Sequence, residues 1–170
     1  MGRPSPRCAH TALILALAFC APALAQDESS LKAAKQPQTD LRLTAALDAA
    51  GIAYSVLESG DLQVRAGLAD ERTQTVVLRS KTHAYRSEEW REVYSIAHRL
   101  TDDAPVDAEL ARRLLAANDT LVMGAWSVAN SQVALIVRLP ARSSPLRLVE
   151  AIDFIAEVAD GLEGELAPED

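Results

Sequence analysis

Apolar residues first recur at helical spacing over residues 41–50, where Leu43, Ala46, Leu47 and Ala50 share one side. Asp40 precedes this run as a candidate N-cap, and Gly51 suits the left-handed residue that follows a last helical turn. The period then shortens. Residues 52–57 (IAYSVL) predict a short strand, and Ser59-Gly60-Asp61 a turn. Leu62, Val64 and Ala66 alternate with Gln63 and Arg65, the pattern of a half-buried strand, which residues 69–71 close. Residues 73–80 (TQTVVLRS) are rich in β-branched side chains and predict a third strand.

Residues 87–100 (SEEWREVYSIAHRL) fit two periods. As a helix, Ser87 caps the start, and Trp90, Val93, Tyr94 and Ala97 fall at i, i+3, i+4 and i+7. As a strand, Val93, Tyr94 and Ile96 are sheet formers, and Glu92, Tyr94, Ile96 and His98 line one face. Residues 101–105 predict a loop. Residues 106–118 predict a helix, with Leu110, Ala111, Leu114, Leu115 and Ala117 apolar, Arg112 and Arg113 wet, and Asn118 as its stop. Two strands follow, 121–129 and 132–139, joined by Asn130-Ser131 in a two-residue hairpin turn. Val133, Leu135, Val137 and Leu139 share one face of the second strand; Ala134, Ile136 and Arg138 share the other. Ser144 and Pro145 then open a long helix, predicted to run to about residue 162, with an apolar stripe of Leu148, Val149, Ile152, Ile155, Ala156, Ala159 and Leu162. Short turns between strands make antiparallel pairs, and the helix stripes need a sheet face to bury them. The expected class is α+β: an antiparallel sheet of five to six strands with an N-terminal helix, a middle helix and a long C-terminal helix.

The beginning of the chain has a different character. Arg3 and Arg7 precede an apolar run over residues 11–20, and Ala23-Leu24-Ala25 precedes polar Gln26-Asp27-Glu28. These are the three parts of a secretory signal peptide, with cleavage expected after Ala25 and a periplasmic or secreted product. Lipidation at Cys20 is the alternative, against which bulky Phe19 stands directly before the cysteine. Residues 26–40 are polar and predict a flexible lead-in; 41–166 form the domain, and 167–170 an acidic tail. Cleavage removes both cysteines of the chain, Cys8 and Cys20. Thiol chemistry and cysteine-ligated zinc then fall away. No later apolar run approaches the ~20 residues of a membrane helix, so no stable membrane insertion is expected after cleavage.

The chain carries 17 basic and 24 acidic residues, a formal net charge of −7. That balance disfavours nucleic-acid binding, which needs cations against phosphate. Residues 150–170 hold eight acids and no base. Four of them, Glu150, Asp153, Glu157 and Asp160, fall near one face of the last helix, a solvated face or the seat of a cationic partner. Calcium would need a D-x-D-x-D-G loop, which the sequence lacks. His83 and His98 have no partner at chelating spacing, and Ser95 and His98 are three apart, on opposite faces of a strand. There is no G-x-S-x-G elbow, and the glycines are scattered. No catalytic residue, cofactor or metal is expected.

Four local features together resemble a known family: REVYS at 91–95, LLAAN at 114–118, GAW at 124–126, and a hairpin leading into a long amphipathic helix. They resemble the YbjN family of sensory-transduction regulators, whose fold resembles type III secretion chaperones. The resemblance covers residues 41–166 and favours the strand over 87–100. It implies a domain that binds another protein or a second copy of itself, as a possible homodimer, and it brings no catalytic residues. The chain departs from the secretion chaperones in carrying an export signal. Trp90 and Trp126 are expected first in the core; a chaperone-like domain with a partly open sheet face instead makes Tyr94, Trp126 and Ile136 the possible protein-binding residues. A small periplasmic hydrolase or small-molecule binder, using a pocket between sheet and helices, is the second functional expectation.

Overall fold

A computed structural model of the chain describes residues 38–100 and 106–167. The expected signal peptide, most of the lead-in, the 101–105 loop and residues 168–170 of the tail lie outside the described residues. The elements run α1 (Leu41–Ala50), β1 (Ser55–Val56), β2 (Leu62–Gly67), β3 (Thr73–Tyr85), β4 (Glu88–Arg99), α2 (Ala108–Asn118), β5 (Ala125–Ala129), β6 (Gln132–Pro140) and α3 (Pro145–Leu166). The six strands form one sheet in the order β1-β2-β3-β4-β6-β5, and every pair is antiparallel. The class is α+β, with the three helices expected.

Residues 87–100 are strand. Their helical reading fails because β4 is a central strand, flanked by β3 and β6, and its alternate side chains Arg91, Val93, Ser95 and Ala97 are buried. A period of 2 satisfies both neighbours, and tertiary pairing overrides the local helical spacing. Two hairpin turns hold this centre. Arg86 opens the β3–β4 turn at φ 54, and Asn130 and Ser131 (φ 50 and 56) make the β5–β6 turn in the doubly left-handed form that matches strand twist.

Several boundaries move. β1 is only Ser55–Val56, and β3 runs on to Tyr85, because β4 continues to pair with it beyond the end of β2. α2 begins at Ala108, since the Asp107 side chain accepts from the backbone N–H groups of Glu109 and Leu110 and so fixes the first turn. Leu115, expected on the apolar side, is 71% exposed. β5 starts at Ala125 rather than 121. α3 passes through Gly164 to Leu166, four residues beyond expectation, because packing outweighs the modest helix penalty of one glycine.

All the packing lies on one side of the sheet. α3 runs across β4, β3 and β6 and touches α1, while α2 lies against β5. Its buried stripe is Leu148, Ala151, Ile152, Ile155, Ala156, Ala159 and Leu162. Alternating alanines let the helix approach closely, and each fully buried leucine or isoleucine contributes about 1.5–3 kcal/mol. Opposite stand Leu62, Val64, Val76, Leu78, Val93, Val133, Leu135 and Val137, all buried. Among the described residues the other face of the sheet carries no helix.

One polar network sits inside this layer. Between Leu78 and Thr82 the β3–β4 register shifts, so that Arg79, Ser80 and Lys81 oppose Glu92 alone. The bulge turns two carbonyls inward. Arg91, 1% exposed, donates through Nη1 to the carbonyls of Arg79 and Ser80 and through Nη2 to the Asp40 carboxylate. Asp40 also caps α1 by accepting from the Arg42 backbone N–H at 2.9 Å, and it receives the Arg42 guanidinium. The Asp40 backbone N–H donates to Ser80 Oγ at 3.1 Å, which ties α1 to β3. Burial pushes the Asp40 carboxyl up, but hydrogen bonds from Arg42 and Arg91 outweigh it and hold the group well below the usual carboxylate range.

Candidate binding face

The helix-free face is ordered by strand register. One row crosses the sheet as Gln63, Val77, Tyr94, Ile136 and Ala125, each opposite the next. Beside it, Ile96 faces Ala134, which faces Ser127. On the other flank Glu92 lies between two arginines: Arg138 Nη2 at 2.8 Å and Arg79 Nε at 3.5 Å. The Arg79 guanidinium also stands 5.2 Å over the Tyr94 ring, a cation–π distance. Val77, Tyr94, Ile96, Ala134 and Ile136 are half-buried, with no second layer above them among the described residues. The centre is therefore an apolar strip with charge along its borders.

Next to the strip the sheet opens. β3 and β4 last pair at Val77 and Tyr94; beyond them β3 follows β2, while β4 follows β6. Ladder bonds are lost where the strands part, and side chains replace them. Ser95 Oγ donates to the Thr75 carbonyl at 2.7 Å, and Gln74 Nε2 reaches the Ile96 carbonyl at 3.4 Å and Glu163 Oε2 at 3.3 Å. The resulting cleft has a volume of about 620 Å³, within the range of ligand pockets. Val77, Tyr94 and Ile96 line it from the open face, together with His98 and Arg99 at the end of β4 and Glu163 and Leu166 at the end of α3.

Tyr94 and Ile136 are thus direct cross-strand neighbours on the open face. Trp126 is not with them. It pairs with Leu135, whose side of the sheet faces the helices, and it is 8% exposed beside Leu114, Leu121 and Leu162. Its parity along β5 decides this: Trp126 is one residue from the open-face positions Ala125 and Ser127. His83 lies opposite Trp90, eight residues along β4 from His98, roughly 26 Å at strand rise. Among the described residues no three histidines, cysteines or acids gather as a metal site. The expected acidic face of α3 divides: Glu150, Asp153 and Glu157 are exposed, while Asp160 pairs with Arg72 at 2.9 Å. Among the described residues no helix is long and apolar enough to cross a membrane.

Alternation along the chain gives the parity of Glu92, Tyr94 and Ile96 and of Ala134, Ile136 and Arg138 but not their neighbours, so Val77, Arg79 and the cleft escape it. Asn118, expected only as a helix stop, does more. Its amide clamps the outer strand: Oδ1 accepts from the Trp126 backbone N–H at 2.6 Å, and Nδ2 donates to the Trp126 carbonyl at 3.4 Å. β5 is an edge with no charge and no proline, the kind that recruits other strands. Asn118 occupies both polar groups of its central part. Asn118→Ala should lower stability by about 1–3 kcal/mol and make the purified chain aggregate with rising concentration, read by thermal unfolding and light scattering. Unchanged scattering would remove the edge-protecting role. No protein-family model and no curated protein sequence matches the chain.

Proposed function

We propose that the chain is an exported, non-enzymatic binding module of the YbjN type, which docks a protein partner on its uncovered sheet face. The observation that carries this reading is that all three helices lie on one side, leaving Val77, Tyr94, Ile96 and Ile136 as a continuous apolar strip on the other. Burying such a strip under a partner supplies association energy, and the bordering charges select the partner. The resemblance of residues 91–95, 114–118 and 124–126 to that family supports the same reading, and residues 1–25 support export to the periplasm or medium.

The cleft favours a second reading, a small-molecule binder or hydrolase, because it brings His98 and Glu163 to one opening. Against that reading, Glu163 is engaged by Gln74 and the Ser95 hydroxyl is spent on a backbone carbonyl.

A photo-crosslinking residue at position 77, in cells expressing the full chain, tests the proposal. It should yield discrete protein adducts that vanish when Tyr94→Ser and Ile136→Ser are added. The same probe at exposed Leu115, on α2, should yield none. Adducts from both positions alike, or from neither, would refute the docking face.

A further inference from the structure

We infer that the partner segment is acidic and amphipathic, lying extended along the apolar strip with its carboxylates against a rim of arginine and lysine. This rests on the reading of the open face as the docking surface and adds the chemistry of what docks there.

The argument is one of charge placement. The chain as a whole is acidic, at −7. Its open face is the reverse. The rows that cross its middle hold Arg65, Arg79 and Arg138 against Glu92; Glu88 stands farther along β4 on the same side, and Glu163 lines the adjoining cleft, where Gln74 engages it. Lys81 follows Arg79 on the exposed side of β3, and Arg99 lines the cleft. Arg65, Lys81 and Arg99 form no ion pair among the described residues; Arg65 donates only to Thr73 Oγ1, at 3.2 Å. The exposed acids Glu150, Asp153 and Glu157 lie instead on α3, behind the sheet. A face five strands wide that is apolar along its middle and cationic along its border complements a ligand with the same layout and opposite charge. A protein segment fits better than a nucleic acid. Tyr94 is the one aromatic in the middle of the face, and Trp90, on the same side of β4, is set apart from it by the Glu92 carboxylate, so the face offers no continuous run of aromatic platforms on which bases stack. The acidic remainder of the molecule would also repel a long polyanion.

The cleft adds an anchor. It opens directly off Val77, Tyr94 and Ile96, and its volume of about 620 Å³ admits a large apolar side chain of the bound segment. Arg99, exposed in the same lining, then meets a neighbouring carboxylate.

The test uses the purified full chain and three labelled synthetic peptides of about twelve residues. All three share one alternating pattern of Leu and Phe; the polar positions carry Glu, Ser or Lys. Fluorescence anisotropy should show the Glu peptide binding most tightly, with affinity falling as salt rises. Neutralising the rim with Arg65→Gln, Arg79→Gln and Arg138→Gln should weaken it by about eightfold or more, since each exposed pair supplies about a two- to fivefold effect. Circular dichroism confirms that the variant is folded, as is expected for exposed side chains. If the Ser peptide binds equally well, and Tyr94→Ser abolishes both, the face is a docking surface but the charge inference falls. If neither Glu nor Ser peptide binds, both readings fall. Preference for the Lys peptide, tighter binding of a single-stranded oligonucleotide, or salt-sensitive self-association lost in the same triple variant would each overturn the acidic partner.

Discussion

Asp40→Ala should lower stability by about 4 kcal/mol, more than any surface change in this molecule. The reason is the residue left behind. Arg91 is 1% exposed, and its only carboxylate partner among the described residues is Asp40. Removing one member of a buried ion pair strands the other charge, which costs about 3–5 kcal/mol. The lower end applies because 12% of the Asp40 side chain remains exposed and the Arg79 and Ser80 carbonyls still receive Arg91. The alanine also removes the α1 cap, about a further 1 kcal/mol. The thermal midpoint should fall on the order of 10 °C. Pairing Asp40→Asn with Arg91→Met should cost less than the sum of the two single changes, since the double variant leaves no stranded charge. Strict additivity in urea unfolding would show that the contact carries no coupling.

The same pair predicts an acid limb. Asp40 is held below its ordinary value of 3.8 in the folded protein. Its stabilising contribution is therefore fully present above about pH 4 and is lost as pH falls through the lower folded value. Asp40→Asn keeps a capping oxygen but has no proton to lose. The stability gap between wild type and Asp40→Asn should be constant from pH 7 to about 5 and should shrink below pH 4. A gap that stays constant down to pH 2.5 would mean that the carboxyl is not held low.

What sequence makes legible follows from range. The α1 caps, the Asn130-Ser131 turn and the face parity of β6 are local patterns that appear where expected, and the α3 stripe does so except that Ala151 is buried in place of the expected Val149. What escapes depends on pairing between segments distant along the chain. Asp40 reads as a cap from its position alone; its bond to Arg91, fifty-one residues away, does not. Residues 87–100 carry both periods, and only the neighbours β3 and β6 choose between them. For the candidate face, Tyr94 and Ile136 are legible from alternation. Trp126 takes the opposite side from its expected place with them, because a large aromatic on a five-residue edge strand has too few neighbours in sequence to fix its side. The cleft has no local signature, since it arises where β3 and β4 each follow a different partner.

Gly124 marks another long-range constraint, at the start of the tripeptide that contributes to the family resemblance. Gly124→Ala should lower stability by about 2–4 kcal/mol. Its φ of 81 lies in the left-handed region, where an L side chain is strained. A Cβ there would also stand 2.6 Å from the Ile136 carbonyl oxygen and 2.7 Å from Val137 Cγ2. The first contact is backbone and has no rotamer to yield, so the start of β5 must move away from β6. Gly51 separates the two effects. It has φ 69, and a Cβ added there would meet nothing within 4 Å, so Gly51→Ala carries the conformational strain alone, about 1 kcal/mol. Urea unfolding of the two variants should show losses of stability that differ by more than about a factor of two. Because Ile136 sits opposite Tyr94 on the open face, Gly124→Ala should weaken partner docking as well, while Gly51→Ala leaves it unchanged. Equal losses from the two glycines would mean that the approach of Gly124 to β6 has slack, and that the open face does not depend on it.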